Sequence, residues 1–235
     1  MTHLKHILNG KTHILWDFDG SFCDSETIHF EAYAKAFALA GHSINKDEYF
    51  TTFTHTGGGV AKEIENYNLS CDPEEIKINK IKFYNELITQ GQAKLFPEMP
   101  LILKKLSQLN IKNVIASNSP KSEIELILSK LDEKVHVDAI FGLEAGLRKK
   151  PFPDIFNHAL ATLNISPKQS LVIEDSERGL IASKNAHCQA IWIETHITEK
   201  YSSTAPYLAK ISHRKFLSQL NDELELNSEN VKASF

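Results

Sequence analysis

Cysteine is scarce in this chain: Cys23, Cys71 and Cys188 are the three among 235 residues. An odd number at wide spacing supplies neither a disulfide framework nor a zinc knuckle, and it fits a reducing compartment. The eleven histidines show no clustered ligand spacing, so no zinc site is expected. No apolar run approaches the roughly 18 residues that a membrane helix needs. The opening MTHLKHILNGK has no long apolar core and no small-residue cleavage site, so no signal peptide is expected. An excess of positive charge is also missing, with 26 basic against 30 acidic residues. A formal net charge of −4 argues against a nucleic-acid binder, but says little against a small anionic substrate. Internal repeats and low-complexity tracts are absent. A soluble cytoplasmic protein with no membrane and no nucleic-acid partner is expected, and it is taken to be a monomer or weak dimer. A hydrophobic content of 42% is enough for a packed core, and the length fits one large domain or a domain with an insertion.

What is present concentrates first at ILWDFDGSFCDSE, from Ile14 to Glu26. A short apolar run leads into Asp17 and Asp19, one residue apart, with Gly20 next. Residues two apart on a strand share a face, so both carboxylates can sit at the mouth of a sheet edge. Gly20 permits a sharp turn there. Two close carboxylates repel unless a cation or a shared proton relieves them, and Mg²⁺, with its preference for oxygen ligands, suits the task. The competing reading is plain turn chemistry, for which Asp and Gly are also the usual residues. The rest of the chain has to decide.

Periodicity supplies the frame. Residues 12–18 read as a strand. Helices are expected over 26–40, with Asp24 or Ser25 as cap and Gly41 as stop, then over 46–52, 60–67 and 73–90, with Pro73 in the first turn of the last. No strand is expected between Glu26 and Leu95, which makes this a block of helices inserted after the first strand. Beyond Pro97, helices are expected over 99–109, 121–131, 154–163, 178–185 and 216–226. Strands are expected over 113–116, 137–141, 170–173 and 190–193, and residues 227–235 as a frayed end. Strands alternating with helices predict an α/β fold, a Rossmann-like parallel sheet with right-handed crossovers.

In such a sheet, ligands bind beyond the carboxyl ends of the strands. Asp17 and Asp19, Ser117 and Asn118, and Glu174 and Asp175 each follow a strand, and Lys150 lies in the RKKPFPD segment. Converging, they assemble a phosphoryl-transfer site. Asp17 is the candidate nucleophile, forming an aspartyl-phosphate. Mg²⁺ held by Asp17, Asp175 and Glu174, with the backbone carbonyl of Asp19, would offset the repulsion between anions. Asp19 is the candidate general acid and base. Ser117 and the Asn118 N–H would donate to phosphate oxygens, and Lys150 would bring a compact positive charge. Arg148 and Lys149 read either as a basic rim or as a solvated turn. Cys23 lacks a base partner and reads as packing. The run Gly57 to Gly59 lacks the Gly-Lys-Ser/Thr of a Walker loop and reads as a loop facing the crevice.

DFDGSFCDSE, the strand ending in SNS, KPFPDIF and VIEDSERGL together resemble the four ordered motifs of the haloacid dehalogenase-like (HAD) hydrolase superfamily, over residues 14–193. The nearest branch is the β-phosphoglucomutase-like and phosphoglycolate-phosphatase-like one. The resemblance implies an HAD-like α/β core at residues 1–24 and 96–235 and an α-helical cap domain at 25–95. It also implies the same roles for Asp17, Asp19, Ser117, Lys150, Glu174 and Asp175. Ser21 stands where the family usually has threonine. The cap arginine with which mutases grip a second phosphate is missing. His29 matches a mutase histidine, and faces either the active site or the polar side of its helix. His29, Gly57 and Gly58 are the expected cap contacts to substrate. The expected activity is a Mg²⁺-dependent phosphatase of a small phosphorylated metabolite, a sugar or polyol phosphate. A sugar phosphomutase is the first alternative, a non-catalytic sugar-phosphate sensor the second, and a dehalogenase a distant third.

Overall fold

Six short apolar runs form one sheet. In the computed structural model, which describes residues 4–55 and 58–232, these are β1 (His13–Trp16), β2 (Lys112–Ala116), β3 (Ala139–Phe141), β4 (Ser170–Glu174), β5 (Gln189–Glu194) and β6 (Lys210–Ser212). Their order is β3-β2-β1-β4-β5-β6, and every neighbouring pair is parallel. The chain runs outward from β1 through β2 and β3, then restarts on the other side with β4. Trp16 pairs with Ile115 on one flank and Ile173 on the other, so the three central strands end nearly level. A reversal of this kind opens a crevice at the carboxyl edge.

Side chains alternate between the two faces, as the strand period requires. Ile14, Trp16, Ile115, Ile173 and Ile191 face helices α1 (Leu4–Leu8), α6 (Met99–Gln108), α7 (Lys121–Lys130) and α10 (His213–Lys232). Leu15, Val114, Val172, Ala190 and Trp192 face α8 (Asp154–Leu163) and α9 (Glu177–Asn185). Each fully buried large apolar side chain contributes about 1.5–3 kcal/mol, so two covered faces explain why the strands read as continuous apolar runs. Asn113, a buried polar member of the central ladder, is satisfied: its Oδ1 accepts from Trp16 Nε1 at 3.1 Å.

Between β1 and β2 the described chain is helical: α2 (Glu26–Leu39), α3 (Lys46–Tyr49), a π-helical turn (Phe50–His55), α4 (Gly59–Tyr67) and α5 (Pro73–Thr89). Asn45 caps α3 through Asp47 N–H at 2.9 Å, and Asp72 caps α5 through Glu74 N–H at 2.9 Å, ahead of Pro73 in the first turn. This insert has an apolar cluster of its own around Phe37, Ile44, Tyr49, Phe50 and Val60, while Ile28, Ala32, Tyr84 and Leu87 of α2 and α5 join the core below the sheet. It leaves and rejoins the sheet through a narrow neck. There Asp24 N–H donates to Lys94 O at 2.8 Å, and Cys23 forms an antiparallel bridge with Leu95. Buried Cys23 donates its Sγ–H to Lys94 O at 3.1 Å, which fits its reading as packing.

The differences from expectation are local. β1 stops at Trp16 rather than at 18, because Gly20 at φ +80° turns the chain away. The helix expected over 46–52 is α-helical only to Tyr49 and continues as the π turn. Neither Asp24 nor Ser25 caps α2; Ser25 holds the cap position, but its hydroxyl is engaged elsewhere. The segments α1, β6 and the 3₁₀ turn Pro167–Gln169 are too short to show a period. The last helix begins at His213 and continues to Lys232, through residues expected to fray. Among the described residues no helix is long and apolar enough to cross a membrane.

Candidate active site

The loop after β1 is built by opposing preferences. Asp17 N–H still donates to Ile173 O at 2.9 Å, extending the ladder by one bond. Phe18 and Phe22 then turn inward and stack at 5.9 Å, both fully buried. With Phe18 held inside, Asp17 and Asp19 are left on the outer side, toward the crevice. Phe22 and Cys23 N–H groups both bond to Phe18 O, closing the turn. Gly20 has no substitute here: a Cβ would lie 2.1 Å from Asp175 Oδ2.

Lys150 organises the acidic residues. Its ammonium donates to Asp17 Oδ1 at 2.5 Å, Glu174 Oε1 at 2.7 Å and Ala116 O at 2.9 Å, which engages all three of its protons. Its backbone is gripped as well: Lys150 N–H donates to Asn118 Oδ1 at 2.9 Å, and Arg178 Nη2 donates to Lys150 O at 2.7 Å. Burial alone would lower the lysine's pKa, but Asp17 and Glu174 outweigh it and raise it, so the group stays charged. Glu174 is fully buried. Its second oxygen accepts from Ser176 N–H at 3.2 Å and Ser176 Oγ at 2.9 Å, and a Cβ on Gly179 would strike its carboxylate at 1.8 Å.

Asp17, Glu174 and Asp175 each offer an oxygen, and these atoms lie within 4.8 Å of one another. Three carboxylates against the single ammonium of Lys150 leave an excess of two negative charges. Burial first, then Glu174 and Asp19, push the Asp17 carboxyl well above the ordinary range, with Lys150 opposing. Burial, Asp17 and Glu174 do the same to Asp175. Buried acids raised by one another fit a divalent cation with oxygen ligands, which would hold them ionised. Asp17 and Asp175 line the cleft and can reach such an ion; Glu174, walled in by Lys150, Ser176 and Gly179, is set to orient them.

Asp19 sits in a different environment. Ser119 Oγ donates to its Oδ2 at 2.5 Å, Ser25 Oγ donates to its Oδ1, and His29 Nε2 lies 3.5 Å from Oδ1. Burial pushes its pKa up, but His29 and the two hydroxyls together outweigh that and bring it down to about 2. The neighbouring acids are thus driven in opposite directions, the arrangement that separates acid–base roles. The cleft above them, about 450 Å³, is lined on the sheet side by Ser117, Asn118, Lys149, Ser176 and Arg178. The insert contributes Glu26, His29, Tyr33, Tyr49, Phe53 and Gly59.

Most of the residues singled out from the sequence therefore meet in one crevice: Asp17, Asp19, Ser117, Asn118, Lys150, Asp175 and His29 line it, and Glu174 lies directly beneath. His29 faces Asp19 rather than solvent, stacked on Tyr84 at 4.2 Å. Lys150, expected to bring its charge to the phosphoryl group and to Asp17, lines the cleft and pairs with Asp17, its three protons lying on Asp17, Glu174 and Ala116 O. Gly57 lies outside the described residues. Gly58 is not a lining residue but Gly59 is; Gly58 N–H is turned to Thr52 O at 2.7 Å, and a Cβ there would meet Lys62. Arg148 belongs to the solvated turn, in a bidentate pair with Asp154 at 2.8–2.9 Å, whereas Lys149 lines the cleft. Sequence reasoning missed Ser25, Ser119, Ser176 and Arg178 as site residues. Only the two serines flanking the motifs, in DSE and SNS, carried a usable signal.

Comparison with known proteins adds an independent line. Protein CbbY of Rhodobacter capsulatus is 26% identical over 195 residues, covering 79% of this chain and 86% of that protein. The phosphorylated carbohydrates phosphatase of Thermotoga maritima is 25% identical over 190 residues, covering 78% of this chain and 85% of its own. The crystal structure of CbbY from Rhodobacter sphaeroides in complex with phosphate superposes with a TM-score of 0.73 at 23% identity, covering 90% of this chain and 99% of that one, a likeness of fold. The sequence model for haloacid dehalogenase-like hydrolases matches residues 14–193, and the chain belongs to that family.

Proposed function

We propose that this chain is a Mg²⁺-dependent phosphatase of a small sugar or polyol phosphate, working through an aspartyl-phosphate on Asp17. The observation that carries the reading is the meeting of Asp17, Asp19, Asp175 and Lys150 at the carboxyl edge of the central strands, with two uncompensated negative charges among the buried acids. At the coarser level it is a phosphoric monoester hydrolase of its family, beside relatives named phosphorylated carbohydrates phosphatase and phosphoglycolate phosphatase. Asp17 and Asp175 would hold the ion with the Asp19 carbonyl, and its charge would offset the repulsion between the Asp17 carboxylate and the phosphate. Lys150 holds Asp17 in place for attack. Ser117 and Asn118 line the side where phosphate oxygens would lie. Asp19, ionised when the cleft is empty, gains a proton as the phosphate dianion arrives beside it. It then protonates the leaving alcohol and takes the proton back from the attacking water. The insert, residues 25–95, serves as a cap that closes the cleft and reads the leaving group.

Phosphate release measured over a panel of phosphorylated metabolites tests this. Asp17→Asn should abolish turnover with the fold intact, and chelation with EDTA should remove activity that Mg²⁺ restores. Near wild-type release in either case would overturn the mechanism. A second reading, a sugar phosphomutase, draws on His29 beside Asp19. Interconversion of hexose phosphates with a bisphosphate activator, without net phosphate release, would favour it.

A further inference from the structure

We propose that Ile197 is a positioning residue: the segment between β5 and β6 is a strap that holds the cleft-lining wall of the helical insert in place. Ile197 is 5% exposed, and the buried residues it clusters with, among them Phe37, Ile44, Tyr49, Phe50 and Val60, all belong to the insert. It is an apolar plug sent from the sheet into the core of another unit. Tyr49 links the two, since it packs in that cluster and also lines the cleft. Ile197 therefore sits behind the aromatic wall formed by Tyr33, Tyr49 and Phe53.

The strap is anchored on three sides. Thr195 N–H donates to Thr198 Oγ1 at 2.9 Å, and Glu199 N–H to Thr195 O at 2.9 Å, which winds the turn that presents Ile197. Lys210, on β6, donates from Nζ to Glu199 O at 3.0 Å and Tyr201 O at 2.9 Å, drawing the turn onto the sheet. Further along, Thr204 N–H and Oγ1 both donate to Glu177 Oε1 at 3.0 Å. Glu177 opens α9 two residues after Asp175, so one stretch of chain is tied to the acid-bearing turn and to the insert. Tyr201 packs against both apolar clusters. An exposed loop would need none of these anchors.

Only the kinetic readout rests on the phosphatase reading. With p-nitrophenyl phosphate, Ile197→Ala should raise KM roughly fivefold to tenfold and leave kcat within about twofold, because the wall shifts while the nucleophile does not. Ile197→Val should restore KM to within about twofold of the wild type. Leu160→Ala, an equally buried position on α8 away from the insert, should lower the melting temperature without moving KM. Lys210→Met removes the anchor without making a hole, and should shift KM about twofold to threefold the same way. Amide hydrogen exchange without substrate should quicken in α2 to α4 of Ile197→Ala relative to β1 and β2. An unchanged KM, a shift matched by Leu160→Ala, or unchanged relative exchange overturns the proposal. Should Ile197→Ala fail to fold, Lys210→Met decides by the same criteria. A wild-type protein that releases no phosphate from any monoester defeats the phosphatase reading instead, and the exchange comparison still decides the strap.

Discussion

At Lys150 one ammonium is shared by two buried acids. Removing it leaves Asp17 and Glu174 without their shared partner, which by general experience costs about 3–5 kcal/mol. Lys150→Met should therefore melt well below the wild type in metal-free buffer, and Mg²⁺ should recover part of the loss, as calorimetry with and without the ion would show. Gly179→Ala is a test by crowding: the new Cβ would enter the Glu174 carboxylate, so a loss of about 1–3 kcal/mol and reduced phosphate release are expected. Ser21 points the other way. Its hydroxyl is fully buried without a hydrogen-bond partner among the described residues, so Ser21→Ala should be neutral or slightly stabilising in a thermal melt. The acids and Lys150 were legible because each follows an apolar strand that the sheet brings to one edge. Arg178 was not, because its work is a bond to a backbone carbonyl, which leaves no spacing in the sequence.

At the scale of elements, the long amphipathic helices were legible and the short pieces were not. α5 announced itself by Pro73 and its apolar row, whereas β6 is three residues whose partner, β5, defines it. The π turn after Tyr49 follows from packing Tyr49, Phe50 and Phe53 into one cluster, a tertiary demand that propensity does not encode. The insert also buries a carboxyl group: Glu63 on α4 is 2% exposed and meets His42 Nε2 at 2.9 Å. His42→Ala leaves that group without its partner at a cost of about 1–3 kcal/mol. Hydrogen exchange should then quicken in α2 and α4 ahead of the sheet; uniform quickening would show that the insert has no separate stability.

At the scale of the whole molecule, the parallel sheet and the site's place at its carboxyl edge followed from strand alternation, while the strand order and the docking of the last helix did not. His213, at the start of α10, donates from Nε2 to Ser21 O at 2.6 Å and stacks on Phe96, which ties the end of the chain to the loop carrying Asp19. Burial holds its imidazole below the ordinary 6.5, with the Ser21 carbonyl opposing. The unfolded chain therefore takes up a proton that the folded one resists. Stability is full above pH 6.5 and declines as the pH falls through and below it. The melting temperature should drop from pH 7 to pH 5.5, and His213→Gln should flatten that drop. The neck between Asp24 and Lys94 has a kinetic consequence. In sequence, β1 and β2 are separated by the whole insert, a distance that would make their pairing slow. Once the insert has folded, its two ends stand one hydrogen bond apart. What then remains between the strands is the turn after β1 and the α6 crossover before β2, so the parallel pair closes at the range of an ordinary βαβ unit.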